Sequence, residues 1–131
     1  MKKTIAITFP GGKKVDLNID KHTVHTDQPV MRGGEGTYPN PFQLFLGSLA
    51  GCVGYFALEF CYTRNISTEG LSMLMDCFYD EEKKRFTKIA IIVTLPDGFP
   101  KKYRNSIIRS IDSCSVKKHM LEPPSFEIIA Q

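Results

Sequence analysis

The segment LFLGSLAGCVGYFALEF, residues 44–60, is an almost unbroken apolar run up to Glu59 and carries one thiol, Cys52, near its middle. Asn40 and Pro41 precede the run, and these residue types suit the N-cap and the first turn of a helix. We therefore expect a helix from Pro41 to about Thr63. The apolar stretch 44–58 has 15 residues, short of the roughly 20 that cross a bilayer. This length predicts a buried helix in a soluble protein and no membrane span.

Alternating apolar residues predict a β-hairpin on each side of this helix. Upstream, two period-2 runs flank a Pro-Gly-Gly turn: Ile5-Ile7-Phe9 and Val15-Leu17-Ile19. Residues 20–41, with their glycines and prolines, are expected to form a loop. Downstream, the alternation of residues 71–79 leads into a charged turn, and residues 86–95 return as a strand rich in β-branched side chains.

A second long helix is predicted from Pro100 to about Met120. Its apolar residues recur at i, i+4, i+8 and i+11, so they share one buried face that includes a thiol: Tyr103, Ile107, Ile111 and Cys114. Two prolines end this helix, and residues 126–129 are expected to supply a final strand. The order β-β-α-β-β-α-β predicts a single α+β domain over residues 1–131, with two long helices against antiparallel sheets.

Composition supports one ordinary domain and excludes several functions. The chain has 131 residues, 42% hydrophobic and 24% charged, which is enough to bury its own core. Seventeen basic and 14 acidic residues give a net charge of +3, and the lysines are scattered, so nucleic-acid binding is not expected. The basic start leads into a strand rather than a secretory signal, which predicts a cytoplasmic protein with mostly reduced thiols. No C-x-x-C motif occurs, and we expect no metal site.

Three glycines in the first helix need a compensating interaction. Gly47, Gly51 and Gly54 lie on one side of the helix, and each is about 1 kcal/mol less favourable there than alanine. Close approach of another helix or strand would offset this loss. Cys52 lies at the edge of the glycine strip. On these grounds alone it is a small buried hydrophobe, and the same interpretation is kept for Cys61 and Cys77.

Two cysteine motifs give the chain a resemblance to a known family. NPFQLFLGSLAGC (residues 40–52) and CSVKKHMLEPPSFEI (residues 114–128), in this order of elements, resemble the motifs of the OsmC/Ohr family of peroxide-detoxifying proteins. The resemblance implies an intertwined homodimer whose long central helices pack closely, which would account for the glycines. It also implies thiol-dependent reduction of organic hydroperoxides in oxidative-stress defence.

The resemblance assigns a role to two of the thiols. By position, Cys52 is the peroxidatic thiol and Cys114 the resolving one. The sulfenic acid formed on the first is trapped by the second before it over-oxidises, and an external dithiol then opens the disulfide. No metal or flavin cofactor is implied.

The chain departs from the family where the reactive thiol is activated. In the family an arginine, held by a glutamate, stabilises the thiolate, but Phe42 occupies the usual glutamate position and residues 1–31 contain no arginine. Arg32 is the nearest candidate, with Glu35 as its partner; a solvated loop arginine is the alternative. His25 or Lys14 are possible substitutes, although neither forms the same planar pair.

The first helix also supplies candidates for an apolar substrate pocket near the thiol, or equally for plain core and dimer interface: Phe42, Phe45, Leu49 and Tyr55. Two functions therefore remain open. The first is a thiol peroxidase using Cys52 and Cys114. The second is a non-catalytic protein that binds a small ligand or senses redox state, favoured by the missing glutamate. A weaker third is an inert structural dimer with both cysteines in its core.

Overall fold

The structure, a computed structural model, describes residues 1–131. Five strands and three α-helices follow one another in an α+β arrangement, which confirms the predicted fold class. Two short 3₁₀ turns, Val30–Arg32 and Lys101–Tyr103, precede the first and second helices. The elements are β1 Ile5–Gly11, β2 Lys14–Ile19, β3 His22–Thr26, α1 Pro41–Tyr62, β4 Ser72–Asp80, β5 Arg85–Thr94, α2 Arg104–Asp112 and α3 Ser115–Leu121.

The chain forms two compact units, Met1–Gly47 and Ser48–Gln131, with the boundary inside α1. The first unit contains an antiparallel sheet of order β1-β2-β3. The β1–β2 hairpin was predicted, but β3 replaces the first part of the expected loop. Its sequence HTVHT has one strongly apolar residue, so no alternation marks it as a strand. It pairs fully with β2, from Val15 opposite Thr26 to Ile19 opposite His22.

Helix α1 begins as predicted. The Asn40 side chain accepts a hydrogen bond from the Gln43 backbone N–H at 2.8 Å, while the Gln43 side chain accepts one from the Asn40 N–H at 2.9 Å. This reciprocal pair is a capping box, which satisfies two N–H groups that a helix N-terminus otherwise leaves without partners. At 22 residues α1 is long and apolar enough to span a membrane. That is weak evidence, because core helices of globular proteins have the same length and composition.

The core of the second unit lies between α1, α2 and one face of the β4–β5 hairpin. The hairpin, predicted from its alternation, pairs Cys77 with Ile89 and Ser72 with Thr94. From α1 the buried residues form a stripe at helical spacing, and α2 contributes two isoleucines: Leu49, Val53, Ala57, Phe60, Cys61, Ile107 and Ile111. Met73, Met75 and Ile91 pack against this cluster from the hairpin. The sequence pattern therefore identified the core-facing sides of the hairpin and of α2, but not which side of α1 is buried.

The predicted continuous second helix was wrong. Helix α2 ends at Asp112, and Cys114 has φ −54° and ψ 123°, an extended conformation that interrupts the helix before α3 begins at Ser115. Ile107, Ile111 and Cys114 are nevertheless all buried, at 0%, 5% and 1% exposure. The spacing of the apolar residues predicted which side of this segment faces the core, but it did not predict the break in the helix at Cys114.

Two further expectations are not met within the single chain. Residues 126–129 form no strand, and Phe126 and Ile128 are 87% and 98% exposed. Apolar residues that alternate with polar ones allow a segment to form a strand, but the strand forms only where the edge of another strand is available for hydrogen bonding. No element approaches the glycine strip either, since a Cβ placed on Gly47, Gly51 or Gly54 would meet no atom within 4 Å.

Candidate active site

Helix α1 and the α2–α3 break bring two free thiols together in the second unit. Cys52 is half-buried on α1, between the buried Leu49 and Val53. Cys114 is 1% exposed and lies between α2 and α3. Both are free cysteines, and the Cys114 side chain acts as a hydrogen-bond donor that lowers the pKa of Cys52. Residues 62 positions apart in sequence thus meet at one point.

Cys114 is the N-cap of α3. Its sulfur accepts a hydrogen bond from the Lys117 backbone N–H at 3.4 Å, which is the position where a capping serine or aspartate oxygen would act. The side chain of Lys117 forms an ion pair with Asp112, on the other side of the break. The thiol is therefore held at a defined turn of the backbone rather than within a helix.

Several donors face the sulfur of Cys52. Burial alone raises the pKa of this thiol. The Cys114 thiol, the backbone N–H groups of Val116 and Ser115, and the Ser115 hydroxyl act against burial, and together they hold the Cys52 pKa below its ordinary value. The Ser115 Oγ lies 3.9 Å from Cys52 Sγ. Hydrogen bonds to the charged form of an acid favour that form, so these donors promote the thiolate.

The pKa of Cys114 moves in the opposite direction. Burial raises it, and the hydrogen bond with Cys52 raises it further, because both favour the protonated thiol. The pair thus consists of one thiol disposed to ionise and one disposed to keep its proton. Chemically, such a pair offers a nucleophilic sulfur beside a protonated thiol that can react with it later.

The other two cysteines have different surroundings. Cys61 is fully buried, and burial raises the pKa of its thiol although the charge of Arg64 opposes this. Cys77 lies on β4 opposite Ile89. The interpretation of Cys61 as core agrees with its complete burial.

The expected Arg32–Glu35 pair is not formed. Arg32 ends the 3₁₀ turn Val30–Arg32. Glu35 instead forms an ion pair with Lys14, whose Nζ donates a hydrogen bond to Glu35 Oε2 at 3.0 Å. This hydrogen bond raises the pKa of Lys14. Lys14 reaches Glu35 because β2 starts beside the loop. Arg32 and Glu35 are three residues apart, a spacing that brings side chains together only in a helix. The helical turn ends at Arg32, because Gly33 is left-handed at φ 84°.

Sequence reasoning missed the residue that shapes this loop. Asp27 is 1% exposed, and its carboxylate accepts hydrogen bonds from the backbone N–H groups of Gln28, Glu35 and Thr37 at 2.8, 3.3 and 3.1 Å. An aspartate at the start of a segment rich in glycines and prolines was the available signal, since short acidic side chains commonly bind nearby backbone N–H groups.

The four predicted pocket residues are in different places. Leu49 is buried and lines a cavity of about 700 Å³ between α1, β5, α2 and α3. The lining residues include apolar side chains, among them Ile89, Ile91, Ile111 and Met120, and charged ones, Arg85, Lys88, Arg109, Asp112 and Lys117. Phe42 and Phe45 pack on each other with ring centroids 5.3 Å apart, and Tyr55 packs edge-on against Phe56. Tyr55 does not line the cavity.

The other substitute proposed for the arginine, His25, is already engaged. Its Nδ1 is 2.8 Å from Asp16 Oδ1, and its ring stacks on Tyr38. No group of three or more His, Cys, Asp and Glu side chains is arranged to hold a metal ion.

Comparisons with known proteins agree with this fold. The chain has structural similarity to a protein of Psychrobacter arcticus 273-4 described as an osmotic stress induced and detoxification response protein, with TM-score 0.73, 20% identity and coverage of 90% of this chain and 88% of that one. An organic hydroperoxide resistance protein OsmC of Legionella pneumophila, described as a redox protein and regulator of sulfide bond formation, gives TM-score 0.57, 20% identity and coverage of 92% and 89%.

No curated protein matches the sequence. The family of OsmC-like proteins, however, matches residues 34–129, which include both cysteine motifs. The resemblance found in those motifs is thereby confirmed, and the chain belongs to the OsmC-like protein family.

Proposed function

We propose that the protein is a thiol-dependent peroxidase that reduces organic hydroperoxides in oxidative-stress defence. The observation that carries the proposal is the hydrogen-bonded pair Cys52–Cys114, in which the pKa of Cys52 is lowered and that of Cys114 is raised. Membership in the OsmC-like family supports a general role in peroxide and redox stress. The pair supplies the two thiols that such a reaction needs.

In the first step the Cys52 thiolate attacks the terminal oxygen of the hydroperoxide. An S–O bond forms and the O–O bond breaks, so that Cys52 becomes a sulfenic acid, two electrons oxidised, and an alkoxide leaves. The Cys114 thiol, whose raised pKa keeps it protonated, gives its proton to the alkoxide to release the alcohol. Cys114 is then itself a thiolate beside the sulfenic acid.

In the second step Cys114 resolves the sulfenic acid. Its thiolate attacks Cys52 Sγ, a disulfide forms and hydroxide leaves. This reaction protects Cys52 from further oxidation to sulfinic acid. An external dithiol then opens the disulfide by exchange and supplies two electrons and two protons, one of which neutralises the hydroxide. The net products are the alcohol, water and the oxidised dithiol.

An organic peroxide suits the surroundings better than hydrogen peroxide. Leu49 lies one helical turn before Cys52 and lines the cavity, whose apolar part also includes Ile89 and Ile91. Apolar cavities of this kind bind the hydrocarbon part of a ligand by removing it from water. Phe42, Phe45 and Tyr55 stay proposed as further apolar contacts, for the substrate or for a second copy of the chain.

We place the reaction in a cytoplasmic homodimer. The glycine strip of α1 and the apolar residues near it are uncovered in the single chain, with Tyr55 and Leu58 56% and 50% exposed. A second copy packed on this face would bury them and account for the glycines. Arg32 stays proposed as a cation for the active site in that assembly.

A second function is favoured by two observations. Phe42 occupies the position of the family's glutamate, and the cavity of about 700 Å³ is large enough for a small ligand. A protein of this kind would bind an acyl or thiol-containing ligand, or sense redox state, without turnover.

Peroxide consumption by site variants tests the proposal. The wild-type protein with excess dithiol is expected to consume cumene hydroperoxide, and Cys52→Ser to abolish consumption. Cys114→Ser should give a single turnover and then accumulate over-oxidised Cys52, seen as mass increases on its peptide. Cys77→Ser is the matched control and should keep wild-type rates. Absence of peroxide consumption in the fully reduced wild-type protein would reject the peroxidase in favour of ligand binding.

A further inference from the structure

The donors directed at Cys52 are all neutral. The sulfur is approached by the Cys114 thiol, by two backbone N–H groups and by the Ser115 hydroxyl. The nearest lysine along the chain, Lys117, directs its ammonium group to Asp112 instead. Within the single chain, polar groups without charge therefore surround the sulfur of Cys52.

We propose that Ser115 is a catalytic residue whose hydroxyl donates a hydrogen bond to the thiolate of Cys52. The inference rests on the proposed function in one respect, that Cys52 is the reacting thiol. Ser115 begins α3, and its Oγ lies 3.9 Å from Cys52 Sγ, within reach of a hydrogen bond to the large sulfur atom. A thiolate has no proton to donate, so in the reactive state the hydroxyl must be the donor.

The position of Ser115 is fixed on both sides. The preceding residue, Cys114, caps α3 by accepting from the Lys117 N–H. One turn later the ring of His119 contacts the Ser115 carbonyl oxygen, Nδ1 to O at 2.7 Å. The backbone that carries the hydroxyl is thus held before any substrate arrives, and little reorganisation is needed when charge develops on the sulfur.

A hydroxyl contributes here because the alternatives are weak. Helix α3 has seven residues, so its dipole is small. Cys52 lies well inside α1, beyond the first turn where the dipole of that helix acts. A hydrogen bond to a charged group, by contrast, shifts an ionisation equilibrium by roughly tenfold or more.

The test measures Cys52 ionisation without peroxide. The full-length protein is fully reduced and treated with iodoacetamide across a pH series, and alkylation of each cysteine is followed separately by mass spectrometry of its peptide. Ser115→Ala is expected to raise the pKa of Cys52 and to slow its alkylation at pH 7 by about tenfold, the lower end of the range for a charged hydrogen bond. Ser115→Thr, which keeps the hydroxyl, should restore most of the rate.

The control is Ser113→Ala. The Ser113 hydroxyl donates to the Arg109 carbonyl oxygen at 3.1 Å, on the other side of Cys114 in sequence. Its removal changes the same break between helices without touching Cys52, and the alkylation profile should stay that of the wild type. Far-UV circular dichroism and urea unfolding establish that all three variants fold.

The outcomes separate this inference from the proposed function. A raised Cys52 pKa in Ser115→Ala supports the hydroxyl as thiolate donor even if the wild-type protein consumes no peroxide. An unchanged Cys52 profile in a folded Ser115→Ala variant overturns the inference even if the protein is an active peroxidase. An equal shift in Ser113→Ala also overturns it, because the effect would then belong to the helix break and not to the hydroxyl.

Discussion

Cys52 and Cys61 show how strongly the surroundings of a thiol decide its chemistry. Both are on α1, nine residues apart, within the same apolar run. Donors from the start of α3 lower the pKa of Cys52. Cys61 is fully buried, and that burial raises its pKa. The same residue type on the same helix therefore has its pKa lowered at one position and raised at the other.

This contrast predicts selective labelling. In the reduced native protein at pH 7, Cys52 should react with iodoacetamide at least tenfold faster than Cys61, because only the thiolate is nucleophilic and Cys61 is inaccessible. Peptide mass spectrometry gives both rates in one sample, and unfolding in urea should make them equal. Faster labelling of Cys61 than of Cys52 in the native state would contradict this assignment of reactivity.

Asp27 gives the loop that carries Arg32 a pH-dependent anchor. Burial acts to raise the pKa of Asp27, but the N–H groups of Thr37, Gln28 and Glu35 outweigh it, and Lys14 adds a favourable charge, so that the pKa is lowered. The folded pKa is below the unfolded one. The carboxylate therefore stabilises the fold fully above the unfolded value, about 3.9, and this stabilisation is lost as pH falls through the folded pKa.

We predict that Asp27→Asn lowers stability at pH 7 and that its deficit shrinks as pH falls below about 4. An asparagine oxygen accepts the same N–H groups more weakly than a carboxylate. Urea midpoints at several pH values measure the difference. Asp20→Asn is the control, because the Asp20 side chain is 70% exposed in a surface pair with Lys3 and should show little effect. A deficit for Asp27→Asn that does not vary with pH would refute the linkage.

At the scale of the element, the N-termini of α1 and α3 are built differently. Helix α1 starts with a capping box of Asn40 and Gln43, a pattern visible in the sequence. Helix α3 starts with Cys114, whose sulfur caps Lys117 N–H while its thiol contacts Cys52. The second cap thus combines a structural with a chemical role, and oxidation of Cys114 changes both together.

The cap of α1 gives a prediction of its own. Asn40→Ala should destabilise the protein by about 1 kcal/mol, the usual effect of removing an N-cap side chain. Asn40→Asp keeps the accepting oxygen and should stay within a few tenths of the wild-type stability. Chemical unfolding of the three proteins measures both values. Equal losses in the Ala and Asp variants would show that the hydrogen bond to Gln43 contributes nothing.

At the scale of the whole molecule, α1 presents two opposite faces. One carries the buried stripe from Leu49 to Cys61, packed in the second unit. The other carries Gly47 and Gly51 with Tyr55, Leu58 and Tyr62 and is exposed. An apolar helix face with glycines and no covering element within the chain is what the proposed dimer would cover.

The dimer predicts a specific effect of bulk at Gly51. Gly51→Leu improves helix propensity by roughly 1 kcal/mol, yet it should convert a dimer into a monomer by preventing close approach of a second helix. Light scattering during size-exclusion chromatography measures the mass. Glu81→Leu, which adds the same side chain in the exposed turn between β4 and β5, should remain dimeric. A monomeric wild-type protein, or an unaffected Gly51→Leu dimer, would rule out packing on this face.

Much of the fold was predictable because its signals are local. The alternation in β1, β2, β4 and β5 and the spacing of Ile107, Ile111 and Cys114 depend on residues close in sequence. Strand β3 was missed because HTVHT has little apolar contrast, although its pairing with β2 satisfies its backbone. The break at Cys114 was missed because helical spacing continues through it. The run Asp112-Ser113-Cys114-Ser115 did contain residue types that favour a new N-cap.

The sequence by itself determined that Cys114 faces the core, because periodicity records which side of an element is hidden from water. It placed Cys52 only within an almost unbroken apolar run, at the edge of the glycine strip. Only the tertiary structure decided what surrounds the Cys52 sulfur. The donors come from residues 114–116, more than 60 positions away, and their direction depends on a change of backbone angles at one residue. A hydrogen bond requires a donor and an acceptor at a suitable distance and angle, and the pattern of apolar residues in a sequence specifies neither.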